Sequence, residues 1–277
     1  MISVLILTLN EERNLPACLE AVKWSNDIVV LDDGSTDRTV EIAEAFGARV
    51  VRHSAGGERA QREYSIRKIP FRYPWVFNPD ADEIAPESLR DEMLRVVSDP
   101  SRDEVAYRVR FRNIFMGSWL KHSSLYPTWV VRLFKPEKVS FERETNLIYV
   151  IDGKCGYLSN DYYHYSLNKG LSAWFDKHNR YSDGEAVEAL KSAGTGKIDW
   201  AGLIAFRDQI RRRKALKNLA WHVPCRSVFV FFYLYFFRLG FLDGIAGLNF
   251  CFLRTIYEYM IDLKVCEKKR NNKGLPF

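Results

Sequence analysis

The sequence predicts an α/β fold with a mostly parallel central sheet, followed by a helical C-terminal region rich in basic and aromatic residues. Two observations predict the sheet: apolar runs of strand length alternate with helical stretches, and short turns join them. A third observation, the change of composition near residue 200, predicts a separate region at the end of the chain. We therefore assign residues 1–200 to one domain and residues 201–277 to the C-terminal region.

Composition limits the classes of protein that the chain resembles. Its 277 residues are 47% hydrophobic and 27% charged, which is typical of a globular protein that can bury a full core. The five cysteines form no close pair and have no metal-ligand spacing, so we expect a reducing, cytosolic compartment. The first residues carry no basic segment and no cleavage signal, so we do not expect export.

The first half of the chain alternates strands and helices. Apolar runs at Ile2–Thr8, Ile28–Leu31 and Ala48–Arg52 predict three parallel strands, the first of them covered on both faces. The helices between them predict right-handed βαβ connections. No G-x-G-x-x-G motif follows the first strand, which disfavours a dinucleotide-binding fold.

The most informative stretch is a short apolar strand that leads into three carboxylates, over Trp75–Glu83. Asp80 and Asp82 lie one residue apart, so in an extended loop their oxygens can face a common point. Mg²⁺ uses one or two protein carboxylates and completes its shell with water and phosphates, which predicts a metal–diphosphate site here. The alternative is that these acids only favour the helix that begins near Pro86.

Later segments predict further strands. Val105–Phe111 alternates apolar and basic residues, as a strand with one polar face does, and Trp129–Phe134 is an apolar strand. Ile148–Ile151 and the turn at Asp152-Gly153 predict a hairpin.

The C-terminal region combines clustered positive charge with an aromatic run. Basic residues crowd 207–217 and 264–273, which suits an anionic membrane surface or, equally, a solvated helix face. Ser227–Phe237 is too short to span a bilayer, and an extension to Leu253 would place Arg238 and Asp243 inside it. We therefore favour an interfacial arrangement, with a helical hairpin in the core as the alternative.

Three motifs follow one another in the first part of the chain, and further distinctive stretches come later. The motifs are Thr8-Leu9-Asn10-Glu11, Leu31–Asp37 and Asn78–Glu83, and the later stretches are Arg132–Phe134, Asp152–Leu158, His164–Ser166, Lys177–Ser182 and Gly240–Gly244. The three motifs resemble those of the family 2 glycosyltransferases, and the later stretches are similar to bacterial lipopolysaccharide-core glucosyltransferase-like proteins. The resemblance covers almost the whole chain, and it implies a GT-A fold that binds a nucleotide-diphosphate sugar and transfers the sugar with inversion at the anomeric carbon.

The resemblance implies which residues bind the donor sugar nucleotide. Asp33, or its neighbour Asp32, accepts a hydrogen bond from the base or the ribose. Asp80 approaches the ribose or the sugar, and Asp82, with Asp80 beside it, holds Mg²⁺ or Mn²⁺ against the diphosphate. The remaining contacts are assigned to Thr8, Asn10 and Glu11 along the nucleotide cleft, and to Arg59, Gln61 and Arg62 at the sugar or diphosphate.

Two assignments keep alternatives open. Arg132 either steadies the diphosphate or pairs with a buried acid. The related proteins carry a Val-His-Glu-like element before the Asp-Gly turn, whose acid is a candidate catalytic base, whereas this chain reads Phe141–Leu147 without the histidine. We assign the general base to Glu144 first and to Glu142 second.

The function implied is transfer of a hexose to a lipid-linked or cell-envelope glycan by a peripheral enzyme on the cytoplasmic face of the inner or plasma membrane. A polyprenyl-phosphate sugar transferase and a non-catalytic glycan- or membrane-binding relative are the alternatives. No nucleic-acid recognition motif accompanies the basic segments, so we expect no nucleic-acid partner.

Overall fold

A computed structural model describes residues 1–54, 56–142, 147–194, 199–205, 212, 215, 219 and 226–277. The chain forms two compact units. Unit 1 consists of Met1–Lys121 and Leu125–Gly170, and unit 2 of His122–Ser124 and Leu171–Phe277. A helix over residues 171–194, which falls inside the predicted first domain, belongs to unit 2. The compact units are not the predicted domains, and the division of the chain into domains 1–200 and 201–277 stays a prediction.

Unit 1 begins with alternating strands and helices, as predicted. These elements are β1 Ser3–Thr8, α1 Leu15–Val22, β2 Ile28–Asp32, α2 Thr39–Ala45, β3 Arg49–Arg52, α3 Glu58–Lys68 and β4 Val76–Phe77. Its second half is mainly strand. These elements are β5 Glu83–Ile84, α4 Glu87–Ser98, β6 Glu104–Phe115, β7 Ser118–Trp119, β8 Trp129–Phe134, a 3₁₀ turn at Pro136–Lys138, β9 Val139–Glu142, β10 Ile148–Ile151 and β11 Lys154–His164.

One nine-stranded mixed sheet organises unit 1. Its order is β3-β2-β1-β4-β8-β6-β11-β5, with β7 paired to β6. Strands β3, β2, β1 and β4 are parallel neighbours, and β6 and β11 form a second parallel pair. Strand β8 runs antiparallel between β4 and β6. Most paired residues lie in parallel ladders, so the predicted α/β fold with a mostly parallel sheet is confirmed.

Both faces of the sheet are covered, which explains the continuous apolar run in β1. Val4 and Ile6 point into one hydrophobic cluster, and Leu5 between them points into the other. All three side chains are fully buried. The first strand is therefore a central strand, as its sequence indicates.

The hairpin predicted at Asp152-Gly153 is wrong. Strand β10 pairs antiparallel with the preceding strand β9, and β11 leaves the turn to pair in parallel with β6. Gly153 has φ +143°, and a Cβ built there would lie 2.7 Å from a methyl group of Val105. The glycine therefore permits close passage of the chain rather than a two-residue hairpin turn.

Unit 2 is helical over its described residues. Its elements are α5 Leu171–Gly194, α6 Trp200–Leu203, α7 Arg226–Phe232 continued by a π-helical turn Tyr233–Phe237, a 3₁₀ turn Gly240–Asp243, and α8 Gly244–Asn271. Among the described residues no single helix has the length and hydropathy needed to cross a membrane. The pair Arg226–Phe237 and Gly240–Asn271, bent by 73°, meets those criteria only when taken together.

The bend between these helices depends on the stretch Gly240–Gly244. Leu239 adopts φ 60°, and a Cβ on Gly247 would lie 2.3 Å from the carbonyl oxygen of Gly240. The Asp243 carboxylate accepts hydrogen bonds from the backbone N–H groups of His122 and Ser123, at 3.0 and 2.8 Å. This motif, prominent in the sequence, therefore holds a helix corner and the segment 122–124.

Buried ion pairs join α7 to α8. The Arg226 guanidinium lies 2.7 Å from Glu258 and 3.0 Å from Asp262, and Arg254 adds a contact of 2.9 Å to Glu258. Arg226 is buried, so these carboxylates supply the countercharge that its desolvation requires.

The bent pair exposes large apolar side chains. Phe237 is 83% exposed, and the exposed set also includes Phe229, Phe232, Phe236, Leu242 and Ile245. Of the predicted basic segment 207–217, only Arg212 and Ala215 belong to the described residues. At the end of α8, Lys268, Lys269 and Arg270 form the last turn.

We expect the stability of unit 2 to depend on pH through His178. The imidazole stacks on Trp174, its Nδ1–H donates to the Trp174 carbonyl at 2.8 Å, and burial lowers the pKa of His178 from 6.5 to about 4. The folded protein thus takes up this proton less readily than the unfolded chain, so stability present above about pH 6.5 is lost as the pH falls toward 4. Thermal unfolding between pH 7 and 4 should show a shallower loss of Tm in His178→Gln; an unchanged slope would contradict this assignment.

Candidate functional site

The candidate site lies where the parallel strands of unit 1 end. The register pairs Thr8 of β1 with Asp32 of β2, and a parallel bridge joins Leu7 to Asp80 just beyond β4. The carboxyl ends of β1, β2 and β4 therefore meet at one edge of the sheet, which is where open α/β sheets bind ligands.

The Asp32 carboxylate accepts hydrogen bonds within the turn that follows β2. Its carboxylate accepts from the backbone N–H groups of Gly34 and Ser35, at 3.0 and 2.9 Å, and from the hydroxyls of Thr8 and Ser35. The side chain is buried and both oxygens are engaged. Asp32 and Thr8 therefore shape the turn, because the carboxylate fixes the loop that presents the next residue.

Asp33 differs from its neighbour. Its backbone N–H donates to the Thr8 carbonyl at 2.9 Å, but its buried Oδ1 has no hydrogen-bond partner within the described part of the chain. A buried acceptor without a partner is costly, and a ligand donor would satisfy it. Of the two aspartates between which the sequence left the choice open, Asp33 is the one with an acceptor available for a ligand.

Asn10 and Glu11 begin the loop after β1. Asn10 adopts φ 55°, donates its backbone N–H to the Ser35 hydroxyl at 2.8 Å and accepts from the Thr36 N–H at 2.8 Å. Glu11 accepts from Asn14 at 2.8 Å and from Lys169 at 2.7 Å. The Asn10 contacts join the loop after β1 to the loop after β2, and Glu11 joins the first loop to Lys169, so both residues support the cleft in which they were predicted.

Helix α3 carries the three predicted contacts to the sugar or diphosphate. Gln61 is buried, and both ends of its amide bind His53, with Nε2 donating to the carbonyl at 2.6 Å. Arg59 is half-buried. Arg62 is buried and donates to Asp80 Oδ1, Asn78 Oδ1 and the Tyr149 hydroxyl, at 3.0, 3.0 and 3.1 Å. The structure therefore brings Arg62 to the Asp-x-Asp motif and uses Gln61 to hold the start of α3.

A register shift in the sheet places Arg132 beside the same motif. Tyr107 pairs with Leu133 but Arg108 pairs with Val131, so Arg132 is the additional residue of a β-bulge. Its guanidinium binds Asp80 and Glu83 and lies 5.9 Å from the Tyr162 ring centre. Of the two roles left open for Arg132, the structure shows the pairing with a buried acid, Glu83.

The electrostatics of the motif separate its three acids. Burial disfavours the Asp80 carboxylate, but Arg132 and Arg62 outweigh burial and hold the pKa of Asp80 well below its usual range. Burial raises the pKa of Glu83 to about 6, although Arg132 acts in the opposite direction. Glu83 also accepts from the Asp80 N–H at 3.1 Å, so it fixes the backbone of the loop.

Asp82 lies beside a histidine that the sequence did not assign to it. The Nε2 of His164 is 3.4 Å from Asp82 Oδ2, and the Tyr165 N–H donates to the Asp82 carbonyl at 2.9 Å. Burial disfavours the charged imidazole, but Asp82 outweighs it and raises the pKa of His164. The side chain of Asp82 is 18% exposed and that of His164 is 23% exposed.

This pair is the donor set available to a metal. Within the described ranges no group of three or more His, Cys, Asp or Glu side chains could hold a metal ion. A carboxylate and an imidazole still fit Mn²⁺, or Mg²⁺ through the carboxylate, when the rest of the coordination shell comes from water and a bound diphosphate. Both carboxylate oxygens of Asp80 accept hydrogen bonds from arginines, so Asp82 is the aspartate of the Asp-x-Asp motif that fits a cation.

Sequence reasoning assigned no role at the metal–diphosphate site to four of the residues found there. Asn78 and Glu83 stand inside the recognised motif, which could have indicated them, and His164 stands in a stretch that resembles the family. Tyr149 carries no sequence signal, because its contact with Arg62 depends on the antiparallel pairing of β9 with β10. Of the predicted bases, Glu142 is exposed at the end of β9 and Glu144 lies outside the described residues.

Comparisons with known proteins identify the family of this chain. The model of glycosyl transferase family 2 matches residues 3–166, more than half of the chain. An uncharacterized glycosyltransferase of Rickettsia typhi is 26% identical over 95% of this chain and 88% of its own length. The lipopolysaccharide core biosynthesis glycosyltransferase LpsC of Rhizobium meliloti is 31% identical over 42% of this chain and 44% of its own.

Among solved structures, glucosyl-3-phosphoglycerate synthase from Mycobacterium tuberculosis, in complex with Mn²⁺, UDP and glucosyl-3-phosphoglycerate, is 26% identical. The match covers 40% of this chain and 44% of that one, with a TM-score of 0.35. Both LpsC and this synthase are therefore matched over less than half of their length. The match of the family model is the broad one, and it extends from β1 to the end of β11. The GT-A-like α/β fold and the family model together show that this chain belongs to glycosyltransferase family 2.

Proposed function

We propose that this glycosyltransferase is a metal-dependent, inverting enzyme that moves a hexose from a nucleotide-diphosphate sugar to a lipid-linked or cell-envelope glycan. One observation carries the proposal: the two acids of the Asp-x-Asp motif have different partners. Asp80 is bound by Arg62 and Arg132, whereas Asp82 stands beside His164. A fixed, ionised carboxylate that can accept from sugar hydroxyls and a cation-binding pair at one strand end suit a substrate that carries a sugar and a diphosphate.

The nucleotide is placed by the loops after β1 and β2. The unpartnered Oδ1 of Asp33 accepts from the base or the ribose, because it is the buried acceptor that a ligand donor would satisfy. Thr8, Asp32 and Asn10 hold that loop in position through the contacts described above. Binding to a preformed acceptor costs little reorganisation.

The diphosphate is placed by the motif and by α3. Asp82 and His164 would hold Mg²⁺ or Mn²⁺, and the bound cation supplies the charge that neutralises the departing diphosphate. Arg62 and Arg132 keep Asp80 ionised and fixed, so that its remaining exposed surface can accept from the hydroxyls of the ribose or the sugar. Fixed groups of this kind lower the barrier because they need no rearrangement during the reaction.

Inversion requires a base on the side opposite the leaving group. We assign the acceptor's proton to Glu144, in the connection between β9 and β10, with Glu142 at the end of β9 as the second candidate. A carboxylate there takes the proton late, as the acceptor oxygen bonds to the anomeric carbon.

The acceptor and the location rest on different support. LpsC, by its name, acts in lipopolysaccharide core biosynthesis, which favours a cell-envelope glycan as acceptor. In unit 2, exposed aromatic side chains such as Phe237 and Phe229 accompany a basic last turn of α8. Apolar side chains with flanking cations favour peripheral binding to an anionic membrane on the cytoplasmic face.

The first test is a calorimetric titration with UDP-, GDP- and dTDP-sugars, with and without Mn²⁺. We expect metal-dependent binding of one nucleotide class. Asp82→Asn should weaken the metal-dependent binding at least about tenfold, roughly 1.4 kcal/mol. Failure of a folded sample to bind any of these donors would overturn the proposal.

Asp80→Asn is the matched comparison for that titration. This variant leaves Arg62 and Arg132 without their shared carboxylate, so we expect the free energy of unfolding to fall by about 1–3 kcal/mol. The loss is smaller than for a fully buried ion pair, because the Asp80 side chain is 36% exposed. Asp82→Asn should leave the unfolding midpoint in urea nearly unchanged. Equal destabilisation by both variants would contradict the different roles of the two acids.

A second prediction concerns the base. Glu144→Gln should lower kcat by at least about a hundredfold, with donor affinity within about twofold of the wild type, because it removes proton transfer alone. Glu142→Gln is the control, with a smaller effect on kcat. Near-normal turnover by Glu144→Gln would place the base elsewhere.

A third prediction concerns the membrane. Phe229→Ser combined with Phe237→Ser should reduce co-sedimentation with anionic liposomes at least about tenfold, since each phenyl group contributes about 1.5–3 kcal/mol when fully buried. Phe46→Ser combined with Met116→Ser, two exposed apolar side chains of unit 1, serves as the control. The interfacial arrangement is wrong if both pairs co-sediment like the wild type.

A further inference from the structure

A second polar surface of unit 1 lies on the outer part of the sheet. Arg108, Arg110 and Arg112 occupy alternate positions of β6, so their side chains project to the same side of the strand. We call these arginines, together with the aromatic residues Trp119, Trp129 and Tyr157, the arginine–aromatic strip. Of the two residues between them, Val109 is buried in the core and Phe111 is half-buried against it. The alternation that predicted a strand with one polar face therefore produces this surface.

Aromatic rings separate the guanidinium groups of the strip. Arg110 lies 5.1 Å from the Trp129 ring centre, Arg112 lies 4.6 Å from that of Trp119, and Arg108 lies 5.8 Å from that of Tyr157. Tyr157 is 57% exposed. Arg110 also donates to the Ser159 carbonyl, whereas stacking holds Arg108 and Arg112 with further N–H groups that can bind an anion.

One carboxylate lies beneath the strip. Asp161 on β11 is buried, and it accepts from Arg110 Nε at 2.6 Å, from Arg112 Nε at 2.8 Å and from the Tyr126 hydroxyl at 3.0 Å. A structural explanation would assign the arginines to the neutralisation of this acid. One arginine is enough for that purpose, and Arg108 contacts the Tyr157 hydroxyl instead, at 3.2 Å.

The strip therefore carries positive charge that its own acid does not balance. Within the described part of the chain these three arginines form ion pairs with Asp161 alone, and the side chains of Arg110 and Arg112 are still 28% and 39% exposed. The arginines at the donor site differ, because Arg62 and Arg132 are buried and share Asp80 and Glu83. Unbalanced and accessible guanidinium groups favour an anionic ligand.

The sheet topology orients the strip toward the donor site. Strands β4 and β6 both run antiparallel to β8, so they are parallel to each other. The carboxyl-terminal part of β6, with Arg110 and Arg112, therefore approaches the edge at which β4 leads into Asp80. Strand β11 runs the same way and ends at His164, next to Asp82.

We propose that the arginine–aromatic strip binds the acceptor and that this acceptor is a saccharide bearing a negative charge, a phosphate or a carboxylate. The inference rests on the proposed function and adds the chemical class of the acceptor to it. Arginine forks bind phosphate and carboxylate oxygens in pairs, and the exposed face of Tyr157 offers an apolar surface to a sugar ring. Neither group alone selects an anionic saccharide, but together they do.

The test uses two matched pairs of probes, glucose 6-phosphate with glucose and digalacturonate with its neutral disaccharide. Binding to the full-length protein is followed by NMR on the tryptophan indole N–H signals. We expect at least one anionic probe to bind about tenfold or more tightly than its neutral partner, and which one does so identifies phosphate or carboxylate. Arg108→Gln and Arg112→Gln should remove most of that difference, and Tyr157→Ala should weaken binding of both members of the pair.

In the Arg112→Gln variant Asp161 still accepts a hydrogen bond from Arg110, so the fold should persist. The matched control is Arg95→Gln, which changes an exposed arginine of α4. Equal binding of charged and neutral probes, unchanged binding in the arginine variants, or displacement of the saccharide by UDP would overturn the proposal. The donor titration runs on the same samples. Donor binding without saccharide binding refutes the strip alone, whereas saccharide binding without donor binding refutes the proposed function.

Discussion

The structure of the site depends on one carboxylate held between two buried arginines. Arg62 comes from α3 and Arg132 from β8, and Asp80 follows β4, so three separate elements converge on a single acid. Burying a guanidinium without a countercharge costs several kcal/mol, and Asp80 with Glu83 offsets that cost. The loop that carries Asp82 is therefore fixed by the same interactions that neutralise the two arginines.

This constraint explains why the two aspartates of one short motif differ in chemistry. Asp80 has both oxygens bound by arginines, and these interactions keep it ionised. Asp82 lies two residues further along the loop, where the neighbour is an imidazole rather than a guanidinium. The Asp-x-Asp pattern alone therefore does not reveal that its two acids differ. Asp80 holds the loop in place, and Asp82 is the acid that suits a cation.

Local sequence patterns predicted the strands well because periodicity and burial decide them. The continuous apolar run gave β1, and the predicted strand Trp129–Phe134 has the bounds observed for β8. What depends on register could not be predicted. The bulge at Arg132, the contact of Tyr149 with Arg62 and the approach of His164 to Asp82 all join residues distant in sequence. The hairpin predicted at Asp152-Gly153 was wrong for the same reason, because pairing with the distant strand β6 determines where β11 lies.

The arginines of unit 1 show how charge balance distinguishes support from recognition. Arg62 and Arg132 are buried, and the carboxylates of Asp80 and Glu83 neutralise their positive charge within the fold. The arginines of the strip stand half-exposed on aromatic rings above one shared acid. A protein gains no stability from cations that repel each other at a surface. Their excess is explained by a ligand that carries the missing negative charge.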